Sequence, residues 1–236
     1  MKNEIAILMA AGLGSRMLPL TERMPKPLIK VFGKSMIETI IEALEKRGVK
    51  HIYVVVGYKK EQFEFLMDKY SNVTLIENKE YTVKNNISSI FAVADIIGQE
   101  NCFICEADLY VADSSIFEAN LTKSCYYGKM IQGWSDDWGF DLDENGLIIR
   151  VGKGVESTYN MVGVSYFTAD DAKKLSKAIK DAYNYEGHEK LFWDEIVDRE
   201  LKNINLCIHS IQDGQIYELD SVSDLQKLDS NYQKYN

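Results

Sequence analysis

The apolar run Ile5–Met9 stops abruptly in Ala10-Ala11-Gly12-Leu13-Gly14-Ser15-Arg16. An apolar segment that runs straight into glycines reads as a buried strand followed by a backbone turn. Helical spacing follows over Ser35–Arg47, with Met36, Ile37, Ile40, Ile41 and Leu44 on one face and Gly48 as a stop. His51–Val56, Val73–Ile76 and Cys102–Ala107 then read as strands, separated by helical segments over Lys60–Lys69 and Ile87–Ile97. This alternation predicts an α/β fold built on a parallel sheet with helices on both faces. The second half has a different rhythm. Ser124–Trp134, Phe140–Asp143, Leu147–Val151 and Met161–Phe167 read as strands, with Asp143-Glu144-Asn145-Gly146 as a turn. Helices are expected over Ala169–Tyr183 and Phe192–Leu201, strands over Cys207–Ile211 and Gln215–Glu218, and a further helix from about Ser221. The sheet is therefore expected to be mixed but mostly parallel, with the second half adding a small substrate lid.

Charge narrows the partners. Lys and Arg number 27 against 36 Asp and Glu, a formal net charge of −9. A general nucleic-acid binder needs a surplus of cations, so that class is excluded; a small anion held by a few placed cations is not. No apolar run approaches the roughly 20 residues of a membrane span, so no membrane partner is expected. The N-terminal segment lacks the flanks of a secretory signal. Cys102, Cys105, Cys125 and Cys207 sit in apolar segments and read as reduced core residues of a cytoplasmic protein. Cys102-x-x-Cys105 has redox spacing, but with no second pair it reads as a buried strand. His51, His188 and His209 have no spaced partner and carry no metal or acid–base role. Oligomeric state is not legible.

In the glycine turn, backbone N–H groups can approach phosphate oxygens closely. Arg16 can fork onto such oxygens, and Lys26 supplies a second positive charge. The loop is neither a Walker A motif nor a complete dinucleotide fingerprint, lacking Gly-Lys-Ser/Thr and a third glycine respectively. The longer string is more specific. Ala10-Ala11-Gly12-x-Gly14-Ser15-Arg16, then Pro19-Leu20-Thr21, then Pro25-Lys26-Pro27-Leu28 resembles the signature of the sugar-nucleotidyltransferase superfamily. The resemblance implies a single Rossmann-like nucleotidyltransferase domain over 1–236, with a nucleotide-binding half at 1–110 and an acceptor-binding half at 111–236. It also implies that Gly12, Gly14, Arg16 and Lys26 surround a triphosphate, with Ala10 and Ala11 beside base and ribose.

Glu106-Ala107-Asp108 ends the fourth expected strand, where carboxylates of a parallel sheet face the ligand crevice. By itself Asp108 reads as a loop or capping residue. The resemblance implies instead that it holds Mg²⁺, with Asp220 of Tyr217-Glu218-Leu219-Asp220 as the second ligand; Glu106 ranks below them. Two carboxylates from distant segments suit a hard cation.

The segment Tyr81–Ser89 departs from the thymidylyl and uridylyl members. It is similar to the Asn-Asn-x-x-Ser segment of bacterial CTP:phosphocholine cytidylyltransferases. Asn86 and Ser88 can hydrogen-bond a nucleotide or cap the following helix. Trp138, in the polar loop after Asp136-Asp137, and Phe192-Trp193-Asp194 offer aromatic faces beside a carboxylate, as a quaternary ammonium requires. Each aromatic alone reads as core. The same subfamily resemblance implies an acceptor cage of Trp138, Phe192, Trp193 and Asp194, with Phe192 where a Tyr is usual. The expected activity is transfer of CMP from CTP to phosphocholine, giving CDP-choline and pyrophosphate, with Mg²⁺ as cofactor and Lys26, Arg16 and Asp108 catalytic. The alternatives are another acceptor (phosphoethanolamine, 2-aminoethylphosphonate or a sugar 1-phosphate) and a non-catalytic nucleotide-sensing module.

Overall fold

A computed structural model describes residues 3–235. Met1 and Lys2, the start of the N-terminal segment, lie outside the described residues, as does Asn236. The first strand, β1 (Glu4–Ala10), leads into the glycine turn, and a small hairpin, β2 (Lys30–Val31) and β3 (Lys34–Ser35), delivers the chain to α1 (Met36–Arg47). Then follow β4 (His51–Val56), α2 (Phe65–Lys69), β5 (Val73–Glu77), α3 (Ile87–Phe91), α4 (Ala94–Ile97), β6 (Asn101–Glu106) and β7 (Leu109–Val111). The second half contains β8 (Cys125–Met130), β9 (Trp134–Leu142), β10 (Ile148–Glu156), β11 (Tyr159–Phe167), α5 (Ala169–Ala182), α6 (Trp193–Glu200), β12 (Cys207–Ile211), β13 (Ile216–Glu218) and α7 (Val222–Leu228).

Nine strands form one mixed sheet whose main path runs β10-β9-β11-β6-β1-β4-β5, with β8 joined to β11 and β12. The β6-β1-β4-β5 block is parallel, as the strand–helix alternation requires, and β11 closes it antiparallel against β6. Successive side chains of β1 face opposite ways. Ala6, Leu8 and Ala10 join the core under α1, with Ile37, Ile40, Ile41 and Leu44. Ile5 and Ile7 join the core on the other face, with Ile90, Leu175, Ile179 and Trp193. The α1 boundaries follow local chemistry. Ser35 donates from Oγ to Oε2 of Glu38 at 2.5 Å, and Gly48 ends the helix at φ 88°.

Several expectations shift in the structure. The helix expected over Ile87–Ile97 breaks between Phe91 and Ala94. The strand expected over Ser124–Trp134 ends at Met130, and Gly133, at φ 75°, turns the chain into β9. Trp138 is consequently in a strand and not in a loop: it pairs with Lys153 across the β9–β10 ribbon. No helix of the described residues is long and apolar enough to cross a membrane.

A third, smaller core positions the chemistry. Met17 and Ile29 from the loop after β1, Val31 of β2 and Met36 at the start of α1 pack with Leu219 and Leu225 from near the C-terminus. Beside it β13 pairs with β7, with Glu218 opposite Leu109. These two contacts draw the segment 218–220 alongside 106–108, which is remote in sequence.

Candidate active site

A cleft of about 540 Å³ opens at the C-terminal ends of β1 and β6, and a recess of about 320 Å³ adjoins it under the glycine turn. Gly14 adopts φ 66°, and a Cβ there would meet Lys26 Cβ at 2.9 Å and Thr21 Cγ2 at 3.0 Å. Both conformation and space therefore require glycine. Thr21 donates from Oγ1 to the Gly14 carbonyl at 3.0 Å and pins the turn. Gly12 has nothing within 4 Å of where a Cβ would stand and leaves its backbone open to both cavities.

Lys26 is buried, yet its ammonium lies 2.6 Å from Oδ2 of Asp108 and 2.7 Å from Oδ1 of Asp220. Burial alone would push its pKa down; Asp108 and then Asp220 outweigh that and hold it above the usual lysine value. Arg16 donates from Nη1 to the other oxygen of Asp220 at 2.7 Å, with its side chain 74% exposed. The recess is thus lined by backbone turn, Arg16, Lys26 and Asp108. Ala10 lines this recess and Ala11 the main cleft.

Acids crowd the floor between the two cavities. Burial, reinforced by Asp108, Glu218 and Asp194, pushes the Glu106 carboxyl well above the ordinary range. Burial, then Asp220 and Asp108, pushes Glu218 up to about 7. Such a cluster is relieved by bound cations. Asp108 and Asp220 supply hard oxygen donors that already converge on one cation, Lys26. Among the described residues no group of three His, Cys, Asp or Glu side chains is arranged to hold a metal. The set fits Mg²⁺ of the kind that takes one or two carboxylates and completes its shell with water and substrate phosphate.

At the far end of the cleft Trp138 and Phe192 stand with ring centroids 5.4 Å apart, tilted by 59°. Asp194 lines the same end, and Tyr126 donates a hydrogen bond to its Oδ1 at 2.9 Å. Burial pushes the Asp194 carboxyl up to about 7, against the pull of the Tyr126 hydroxyl. Trp193 is not brought to the cleft. It is 3% exposed and packs on Tyr126 and Phe167, at centroid distances of 6.1 and 6.3 Å. Phe192 stands in extended backbone (φ −80°, ψ 145°) just before α6 and Trp193 opens the helix, so the two rings leave the chain in different directions, one to the cleft and one to the core.

Asn86 and Ser88 line the cleft, but both side chains already have protein partners. Asn86 Oδ1 accepts the Trp193 backbone N–H at 2.9 Å. Ser88 donates to the Asn85 carbonyl at 2.8 Å and accepts from Asn78 Nδ2 at 2.9 Å. Asn86 gives its own helix no side-chain cap, and its Oδ1 serves a helix distant in sequence. Sequence reasoning missed Glu218, Lys153, Tyr81 and Asn78, all of which line the cleft. Lys153 lies with its ammonium 5.7 Å from the Phe192 ring centroid. Glu218 had a signal, being two residues before Asp220. Lys153 had none, because only the β9–β10 register sets it beside Trp138.

Residues 5–129 match the family model described as nucleotidyl transferase. The 2-aminoethylphosphonate cytidylyltransferase of Lancefieldella rimae is 53% identical over 227 residues, covering 96% of this chain and 92% of that protein. The choline-phosphate cytidylyltransferase of Streptococcus pneumoniae is 34% identical over 95% of this chain and 96% of its own length. The solved structure of CTP:phosphocholine cytidylyltransferase from S. pneumoniae superposes with a TM-score of 0.89 at 32% identity, covering 98% of this chain and all of that one. With the glycine turn, the Lys26 cradle and the crevice position all in accord, the chain belongs to the nucleotidyl transferase family, as an enzyme among its cytidylyltransferases.

Proposed function

We propose that the enzyme joins CMP from CTP to 2-aminoethylphosphonate. The carrying observation is the make-up of the far end of the cleft. With Trp193 turned into the core, Trp138 and Phe192 remain as aromatic walls there, beside the Asp194 carboxyl, and Asp137 lines the same cleft. A primary ammonium carries N–H donors and is matched by carboxylates; a quaternary one depends on aromatic faces. The 53% relative of that name supports the same acceptor. Phosphocholine is the second reading, favoured by the Trp138–Phe192 pair.

In this reading the triphosphate lies against the Gly12–Arg16 turn and Lys26. An oxygen of the acceptor's phosphonate attacks the α-phosphorus of CTP. A new P–O bond forms as the bond from the α-phosphorus to the oxygen bridging it to the β-phosphate breaks, and pyrophosphate leaves with that electron pair. The attacking oxygen is already anionic, so no protein nucleophile or general base is required. The chain positions both substrates and neutralises charge. Lys26 holds a fixed positive charge, its two carboxylate partners preventing it from swinging away. Exposed Arg16 can turn onto the phosphates, and backbone N–H groups of the glycine turn supply donors without reorganisation. Lys153 supplies a cation at the acceptor end, suited to the phosphonate. Asp108 and Asp220 would hold Mg²⁺, which when bound neutralises phosphate oxygens and polarises the phosphorus.

The test is pyrophosphate release with Mg²⁺, each of the common nucleoside triphosphates, and a panel of 2-aminoethylphosphonate, phosphoethanolamine, phosphocholine and a sugar 1-phosphate. The highest kcat/KM is expected with CTP and 2-aminoethylphosphonate. Preference for phosphocholine selects the second reading. No release with any pair removes both.

A further inference from the structure

The cleft is walled by two segments far apart in sequence that are tied together. Asn78, Tyr81, Asn85 and Asn86 come from one, Phe192 and Asp194 from the other. Three hydrogen bonds join them. Asn85 donates its backbone N–H to the Glu189 carbonyl at 2.8 Å and its Nδ2 to the Lys190 carbonyl at 3.1 Å, and the Trp193 N–H donates to Asn86 Oδ1 at 2.9 Å. The last is the informative one. The first N–H groups of a helix have no partner within it. The residue before α6 is Phe192, whose side chain has no oxygen to offer; its carbonyl accepts the Glu195 N–H at 3.1 Å. Glu195 Oε2 accepts the Phe192 N–H at 2.8 Å, and the next donor, Trp193, is satisfied by Asn86, 107 residues away. Asn86 gives its own helix, α3, no side-chain cap.

We propose that Asn86 is a positioning residue for the acceptor. It fixes the first turn of α6, and with it Phe192 and Asp194. This rests on the acceptor site assigned above to Trp138, Phe192 and Asp194. The division of labour is physical. The Trp193 indole, buried against Tyr126 and Phe167, anchors α6 to the core. The Asn86 carboxamide sets the backbone from which Phe192 and Asp194 project.

The test compares wild type, Asn86→Ala and Asn86→Asp, using as acceptor whichever phosphorylated amine gives the fastest pyrophosphate release. Asn86→Ala is expected to raise acceptor KM about fivefold, the worth of one hydrogen bond, with CTP KM within about twofold of wild type. Asn86→Asp keeps the accepting oxygen and is expected to restore acceptor KM. A CTP KM raised as much as the acceptor KM overturns the proposal in favour of direct nucleotide contact. A lowered melting temperature with both KM values unchanged overturns it in favour of a purely structural cap. Should Asn86→Ala not fold, Asn86→Ser, too short to reach the Trp193 N–H, is read by the same criteria. Turnover of an unexpected acceptor overturns the acceptor reading alone and leaves this partition measurable.

Discussion

Lys26 Nζ lies 2.6 Å from Asp108 Oδ2, across 82 residues of sequence. The side chain is 8% exposed and cannot retreat to solvent. Replacing it with the similarly shaped Met removes the charge and leaves Asp108 and Asp220 facing each other unneutralised. Lys26→Met is expected to lower kcat by roughly 10²-fold or more, the scale for losing a placed charge at a reacting phosphate. Steady-state pyrophosphate release checks this, and a kcat within about threefold of wild type would remove Lys26 from the machinery.

Asp108 and Asp220 are offered as the carboxylates that hold the divalent cation. Asp108→Ala is expected to abolish turnover at any Mg²⁺ concentration. The wild-type enzyme should lose activity to a chelator and regain it with Mg²⁺. Near-normal activity of Asp108→Ala would overturn the metal assignment.

Trp138 faces Phe192 at the acceptor end. Trp138→Ala is expected to raise acceptor KM several-fold, on the order of 1 kcal/mol for a lost cation–π face, with little effect on CTP KM. Where both acceptors turn over, phosphocholine should suffer more than 2-aminoethylphosphonate. Equal effects on CTP and acceptor would make Trp138 structural.

Asp194 is faced by the Tyr126 hydroxyl, Glu106 and neighbouring Glu195. Its carboxyl, pushed up to about 7 by burial, must ionise to pair with a cationic acceptor. Acceptor affinity is therefore expected to strengthen as pH rises through about 7. Tyr126→Phe removes the hydrogen bond that favours the ionised form, so the rise should move to higher pH. The acceptor's own second ionisation falls in the same region for both proteins, so the displacement between the two profiles is diagnostic; coincident profiles refute it. For stability the sign is opposite. The raised folded-state pKa means the folded protein binds more protons between about 4 and 7, so Asp194 makes stability fall as pH rises across that window.

Arg47 and Glu4 form a bidentate pair, Nε to Oε2 at 2.7 Å and Nη2 to Oε1 at 2.9 Å, with side chains 7% and 5% exposed. Arg47 also donates to the carbonyls of Phe117 and Ala119. Arg47→Ala strands a buried carboxylate and is expected to cost about 3–5 kcal/mol. A chemical denaturation series measures this, and a loss under about 1 kcal/mol would contradict it.

Much of this enzyme is written locally. Strand–helix alternation with apolar faces at the right period sufficed for the parallel block from β6 to β5, because each element must bury one face and neighbouring elements supply it. The glycine turn was legible for the same reason: Gly14 sits at a positive φ that its own sequence position demands. Gly12, Arg16 and Lys26 were found because they cluster within one stretch of chain. The acceptor end was not legible in this way. Trp193 and Phe192 are adjacent in sequence, and only the packing of α6 against Tyr126 and Phe167 decides that one enters the core and the other the cleft. Lys153 and Trp138 meet through strand register, Asp220 reaches Lys26 because β13 pairs with β7, and Asn86 spends its oxygen on a helix 107 residues away. Local sequence determined which residues could carry the chemistry. Contacts between distant segments decided which of them face a common substrate, because burial and pairing, unlike periodicity, depend on what the rest of the chain brings alongside.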